Sequence, residues 1–203
     1  MSADAPAPQP AEGGRVLVLC TGNICRSPYI AHLLAAELVG TGVLVESAGT
    51  GAVVGAPMHE QSLRLVSDAG LDGLAFRARQ VTPELIHAAD LIIGATREHA
   101  AAVGWLVPEA FDRAHSLGDL AHALRDHAVD LVPGGGLSHV FTLAAGHRRA
   151  GRLHRSAERT DVVDPYLKPR RVWEQMTAQV HEHLPVVAAA LRQVTTRPDE
   201  REA

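Results

Sequence analysis

Apolar residues fall along this chain in two kinds of run. Short continuous runs, Val16-Leu17-Val18-Leu19 and Leu91-Ile92-Ile93-Gly94-Ala95, suit strands buried on both faces. Between them lie amphipathic stretches at helical spacing. Ile30, Leu33, Leu34 and Leu38 recur in this way after Ser27-Pro28, and Gly40 closes the run. Serine is a good N-cap and proline is tolerated at the first helical position, so a helix is expected to start there. Val43 to Ser47 reads as a second strand, and Glu60 to Ala69 as a helix closed by Gly70. Thr82-Pro83 opens a short helix to about Ala88, and Thr96 caps the helix after the Leu91 strand. A weaker strand is expected near Phe111 to Ser116, followed by a helix from Leu117 to about Asp126. A long C-terminal helix carries Val172, Met176 and Val180, and Pro185 is expected to kink or break it. Strands alternating with helices imply an α/β fold with a parallel sheet of about four strands and helices on both faces.

The ends and one internal stretch break this rhythm. Residues 1–14 and 196–203 read as flexible tails around a single domain over residues 15–195. Val129 to Thr160 reads as an irregular insert with a Gly134-Gly135-Gly136 break. It carries Arg148, Arg149, Arg152, Arg155 and Arg159 against Glu158 alone after Gly146. A solvated surface is the favoured reading, and a docking patch for an acidic or phosphorylated partner is the sharper one.

Composition narrows the class. The chain has 203 residues, 46% of them hydrophobic but only 3% aromatic, so the core is aliphatic. A net charge of −4 demands neither nucleic acid nor a membrane surface. No apolar run is long enough to span a bilayer, and the start lacks the basic and apolar regions of a signal peptide. Cys20 and Cys25 are too few and too close for a disulfide framework. A reducing cytoplasm is the expected compartment. Twelve histidines show no metal-binding spacing, and His181 and His183 sit two apart on a helix, so no metal or other cofactor is expected.

The chemistry concentrates in Cys20-Thr21-Gly22-Asn23-Ile24-Cys25-Arg26-Ser27, between the first strand and the first helix. That is where α/β folds bind ligands. Backbone amides of such a loop converge on an anion, and the helix N-terminus adds partial positive charge. Gly22 lets the backbone pass close to a ligand. The same field favours a thiolate at Cys20, and Arg26 offers a planar fork for two phosphate oxygens. Ser27 serves as a cap and as a donor to the sulfur. A phosphocysteine route also needs a proton donor. Asp164, held extended before Pro165, competes with a plain Asp-Pro turn reading, and Asp161 is a weaker candidate.

The stretch from Cys20 to Pro28 resembles the signature of the low-molecular-weight protein tyrosine phosphatases. Ser47-Ala48-Gly49-Thr50, Ala89-Asp90-Leu91-Ile92-Ile93 and Asp164-Pro165-Tyr166 resemble further motifs of that family, in order from about Arg15 to about Arg192. The resemblance implies a doubly wound, flavodoxin-like sheet and hydrolysis of phosphomonoesters, with phosphotyrosine in proteins or a small aryl phosphate as substrate. It implies Cys20 as nucleophile, Arg26 as phosphate binder and Asp164 as general acid and then base. Thr21, Gly22, Asn23, Ile24, Cys25 and Ser27 would line the substrate, with Asn23 holding the loop and Ser47 supporting it. Gly51-Ala52-Val53-Val54-Gly55 has no aromatic where the family often has one, which leaves Tyr166 as an aromatic wall. Ile24 looks like the tyrosine-phosphatase branch, whereas protein-arginine phosphatases tend to have Thr there. The long stretch from Val129 resembles extended bacterial members. Cys25 is either a small loop filler or, as the resemblance implies, a thiol that forms a reversible disulfide with Cys20. Arsenate reduction, arginine phosphatase activity and non-catalytic phosphoprotein binding stand as alternatives on the same scaffold.

Overall fold

The structure is a computed structural model that describes residues 12–152 and 160–196. Four strands, β1 (Arg15–Cys20), β2 (Leu44–Gly49), β3 (Leu91–Gly94) and β4 (Ala114–Ser116), form a parallel sheet in the order β2-β1-β3-β4. Side chains alternate across the sheet, as strand geometry requires. Val16, Val18 and Cys20 of β1 and Leu91 and Ile93 of β3 enter the larger core. Leu17, Leu19 and Ile92 enter the smaller one on the opposite face. Helix α1 (Arg26–Glu37), α5 (Leu117–Asp126), α6 (Gly136–Arg149) and α7 (Arg170–Thr195) contribute to the larger core. Helix α3 (Pro83–Ala88) and α4 (Arg97–Leu106) cover the smaller one. Helix α2 (Glu60–Asp68) packs against α1. This is the doubly wound, flavodoxin-like arrangement that the sequence leads one to expect.

Caps follow the expected chemistry at two starts. The Thr82 hydroxyl accepts from the Leu85 amide, and that of Thr96 from the His99 amide. The first helix departs from expectation. It begins at Arg26 with Cys25 at the cap position, and no side chain caps it. Ser27 is drawn away from capping because its hydroxyl is engaged by Cys20 and Asn23. The Phe111 end of the fourth expected strand is instead a 3-10 turn, Pro108–Arg113.

Further expectations are corrected. Residues 136–149 are not irregular but form α6, which buries Leu137, Val140, Ala144 and Ala145. Those positions are spaced for one helical face, and the preceding glycines only mark its start. Arg148 and Arg149 both pair with Asp112, and Arg148 also donates to the Ala114 and Phe111 carbonyls. Those two arginines are therefore engaged within the fold, which leaves the acidic-partner reading without support here; Arg155 and Arg159 lie outside the described residues. Helix α7 runs through Pro185 without the break that was one of the two expected outcomes. Gly13, within the expected N-terminal tail, donates to the Gly42 carbonyl at 3.1 Å. No helix among the described residues is long and apolar enough to cross a membrane.

Candidate active site

Strand order reverses between β1 and β3, and the crevice at their C-terminal ends is where such sheets bind ligands. The Cys20 loop leaves β1 at this point. Its carbonyls are tied outward: Cys20 accepts from Thr50 N–H, Thr21 from Gly51, Gly22 from Val53 and Ile24 from His59, all at 2.8–3.0 Å. Cys25 accepts from the Ser62 hydroxyl. A trans peptide sets its N–H opposite its C=O. Amides of Thr21, Gly22, Asn23, Cys25 and Arg26 therefore face the inner side of the loop, as an anion cradle requires.

The left-handed backbone position of the loop falls on Asn23 (φ 54°), the residue expected to hold the loop. A Cβ at Gly22 would meet only ordinary contacts with Ile24 and Val53. Asn23 is fully buried and tolerates the left-handed conformation because its amide is fixed on both sides. Its Nδ2 donates to Ser27 Oγ and Ser47 Oγ, each at 2.9 Å, and its Oδ1 accepts from the Arg79 amide at 2.9 Å. Because Ser27 Oγ accepts from Asn23, its own proton is available to Cys20 Sγ, 3.0 Å away. Glycine is required next door at Gly49, where a Cβ would lie 2.4 Å from the Thr21 carbonyl oxygen.

Arg26 is buried and reaches the far segment of the chain. Its Nη1 donates to the Val162 carbonyl at 3.3 Å, and Nη2 pairs with Asp164 Oδ2 at 2.8 Å. Its Nε is buried without a hydrogen-bond partner, an orphaned donor of the kind an anion satisfies. Asp164 keeps half of its side chain exposed, and its Oδ1 accepts from the Tyr166 amide. The segment carrying it is anchored twice. Val162 donates to the Ala95 carbonyl at the end of β3, and Gln179 of α7 clamps Val163 N–H and the Asp161 carbonyl. Asp161 itself accepts from the Arg97 amide at 2.8 Å and does not line the crevice, which separates it from Asp164.

Cys20, Thr21, Gly22, Ile24, Cys25 and Arg26 line one cavity of about 230 Å³ together with Gly51, Val53, Asp164 and Tyr166. Larger clefts of about 680 and 840 Å³ lie elsewhere, and neither contains a cysteine. Every residue expected to bind or react therefore lies at this cavity, except Asn23, Ser27 and Ser47, which form the network behind it. Val53 supplies an apolar wall where the expected aromatic is absent. Tyr166 stands edge-on to His59, which stacks on Trp173 at 4.9 Å. Burial pushes the Cys25 thiol up to about 12, and the neighbouring Cys20 adds to this, so Cys25 is protonated at neutral pH.

His99 is one of the residues that sequence reasoning missed. It is buried at the start of α4, with Nε2 3.0 Å from Thr21 Oγ1 and Nδ1 2.6 Å from Thr96 Oγ1. Burial, and then the Arg26 charge, lower its pKa to about 4, so a neutral ring braces the loop. Nothing local in Thr96-Arg97-Glu98-His99 signals this, because the contact crosses from β3 to β1.

The fold and the loop together define an α/β protein with a cysteine in a loop shaped as an anion cradle. A family model for the low molecular weight phosphotyrosine protein phosphatases matches residues 15–136, and the chain belongs to that family. It is 42% identical over 78 residues to a probable low molecular weight protein-tyrosine-phosphatase, EpsP, of Ralstonia solanacearum, covering 38% of this chain and 52% of that protein. It is 34% identical over 103 residues to a protein-arginine-phosphatase of Geobacillus stearothermophilus, covering 51% and 68%. The chain thus spans about half the length of the first of these relatives. In structure it is similar to the arginine phosphatase YwlE of Geobacillus stearothermophilus, with a TM-score of 0.65, 24% identity and coverage of 88% and 93%. It is also similar to the tyrosine phosphatase Wzb of Escherichia coli K30, with a TM-score of 0.63, 24% identity and coverage of 88% and 98%. Both likenesses describe the fold.

Proposed function

We propose that this chain hydrolyses phosphomonoesters, with protein phosphotyrosine as the substrate class, through a phosphocysteine intermediate. The observation that carries this is the convergence of Cys20 Sγ, the orphaned Arg26 donor and the Asp164 carboxyl on one cavity. The Cys20 thiolate attacks phosphorus while Arg26 and the loop amides hold the equatorial oxygens. The bond to the leaving oxygen breaks, and Asp164 in its protonated form gives that oxygen a proton. In the second step Asp164, now a carboxylate, takes a proton from water. The water oxygen attacks phosphorus, the S–P bond breaks, and phosphate and thiolate are released. Ser27 stabilises the thiolate at both ends of the cycle. Ile24, Val53 and Tyr166 give the mouth apolar walls suited to an aryl ring. Cys25, buried beside Cys20 with its thiol pushed up to about 12, fits the reading of a small loop filler, since closing a disulfide on an oxidised Cys20 needs its thiolate.

The decisive experiment is a kinetic panel of phosphotyrosine, phosphoarginine, phosphoserine and aryl phosphates. The proposal expects the phosphotyrosyl and aryl substrates to be turned over fastest and Cys20→Ser to abolish turnover. It expects Asp164→Asn to slow hydrolysis most for poor leaving groups. Undiminished turnover in Cys20→Ser overturns the mechanism. A clear preference for phosphoarginine moves the chain to the specificity named for its Geobacillus relative.

A further inference from the structure

Away from the active site, α5 and α6 bring together three groups that no spacing in the sequence connects. His122 and Asp126 lie one turn apart on α5, and His147 lies in the last turn of α6. One ligand atom from each of the three lies within 4.8 Å of the others. His147 is the informative member. Its side chain is fully buried, and its Nε2 lies 2.9 Å from the Arg152 carbonyl, which makes Nε2 the protonated nitrogen. Nδ1 is then a bare lone pair. It is buried, has no hydrogen-bond partner, and lies 3.9 Å from Asp126 Oδ2. The two imidazoles meet edge to face with centroids 5.4 Å apart. His127 flanks the same ring but commits its own Nδ1 to Asp130 at 2.8 Å.

A buried acceptor without a donor is costly, and its cost is removed by a proton or by a metal ion. The backbone hydrogen bond at Nε2 is the outer contact that fixes a metal-binding imidazole in the right tautomer. Bond lengths of about 2.0–2.2 Å at a tetrahedral ion place ligand atoms roughly 3.4 Å apart. Rotation of the half-exposed Asp126 side chain closes that gap from the present 3.9 Å.

We propose that His122, Asp126 and His147 form a site for a divalent transition ion of the zinc, cobalt or nickel class, which fastens α6 to α5. Two imidazole nitrogens and one carboxylate suit those ions rather than magnesium or calcium. The exposed side at Asp126 leaves the fourth position to water. The ion is structural and takes no part in phosphate chemistry, since its ligands lie outside the Cys20 cavity.

Chelator-treated, untagged protein titrated with Co²⁺ and then Zn²⁺ tests this. One Co²⁺ per chain is expected, with visible bands of nitrogen and oxygen ligation and no thiolate charge-transfer band. Zn²⁺ at a hundredfold excess over its Kd is expected to raise the melting temperature by about 5 °C or more. His122→Ala and Asp126→Asn, both at positions that are not fully buried, are expected to weaken binding by about a hundredfold or more, since the loss of an outer contact alone costs ten- to a hundredfold. Both variants are expected to keep full turnover of an aryl phosphate. Unchanged affinity in both variants, a thiolate band that vanishes in Cys20→Ser, or no binding below millimolar metal overturns the proposal.

Discussion

Asn23 and Ser27 show how single side chains prepare Cys20. Asn23 spends every polar atom of its amide on the loop and its surroundings, and so orients the Ser27 hydroxyl toward the sulfur. A hydrogen bond to a charged group contributes about 1.5–3 kcal/mol, or roughly ten- to a hundredfold in a rate that depends on the thiolate. Ser27→Ala is therefore expected to slow alkylation of Cys20 by iodoacetamide at neutral pH by about that factor, with the melting temperature little changed. Asn23→Ala is expected to damage both properties. It leaves a left-handed alanine, costing about 1–2 kcal/mol, and strips the partly buried Arg79 amide of its acceptor. Alkylation kinetics set beside thermal melts separate the two effects. An unchanged alkylation rate in Ser27→Ala would remove the serine from the mechanism.

At the scale of elements, a neutral His99 braces the C-terminal ends of β1 and β3, and a neutral His115 ties β4 to the Asp112 carbonyl of the turn before it. His99 at the start of α4 and His115 in β4 are both buried, and burial lowers each pKa from 6.5 to about 4. The unfolded chain binds these protons and the folded one does not, so each histidine contributes stability that is fully present above pH 6.5. That contribution is lost as pH falls from 6.5 toward 4, and amounts to on the order of 3 kcal/mol per group. Urea midpoints are expected to drop steadily over that window, and His99→Gln should flatten the slope. These elements also show what a sequence discloses. Helix α5 and the core of β1 were legible from periodicity, and Cys20 to Ser27 from their place at a strand-to-helix junction. Helix α6 was not, although Leu137, Val140, Ala144 and Ala145 repeat on one face, because three glycines before it and a cluster of arginines at its end read as loop. His99, Arg79 and Gln179 escaped notice for another reason. Their bonds to the site cross between elements, and chain order says nothing about which loops meet.

Over the whole molecule, the larger core joins the sheet to α1, α5, α6 and α7 and carries most of the buried aliphatic surface. Met176 is fully buried there, on the helix whose Gln179 holds the Asp164 segment. Met176→Ala is expected to cost about 2–5 kcal/mol, or roughly 5–15 °C in melting temperature. If α7 positions Asp164, the same variant should lose turnover of poor leaving groups before it loses phosphate binding, and equal losses would argue against that link. The salt bridge between Arg26 and Asp164 spans 138 positions of the chain. Translation at ~5–20 residues per second separates the appearance of these two groups by roughly 7–28 s. Over the part of that interval from Arg79 to Asp164, roughly 4–17 s, a nascent chain has made the thiol, the arginine and the Ser47 and Arg79 supports but not the carboxylate. On the proposed mechanism a phosphoryl group captured then would stay on sulfur, and chain order would delay turnover until the Asp164 segment and α7 have emerged and docked.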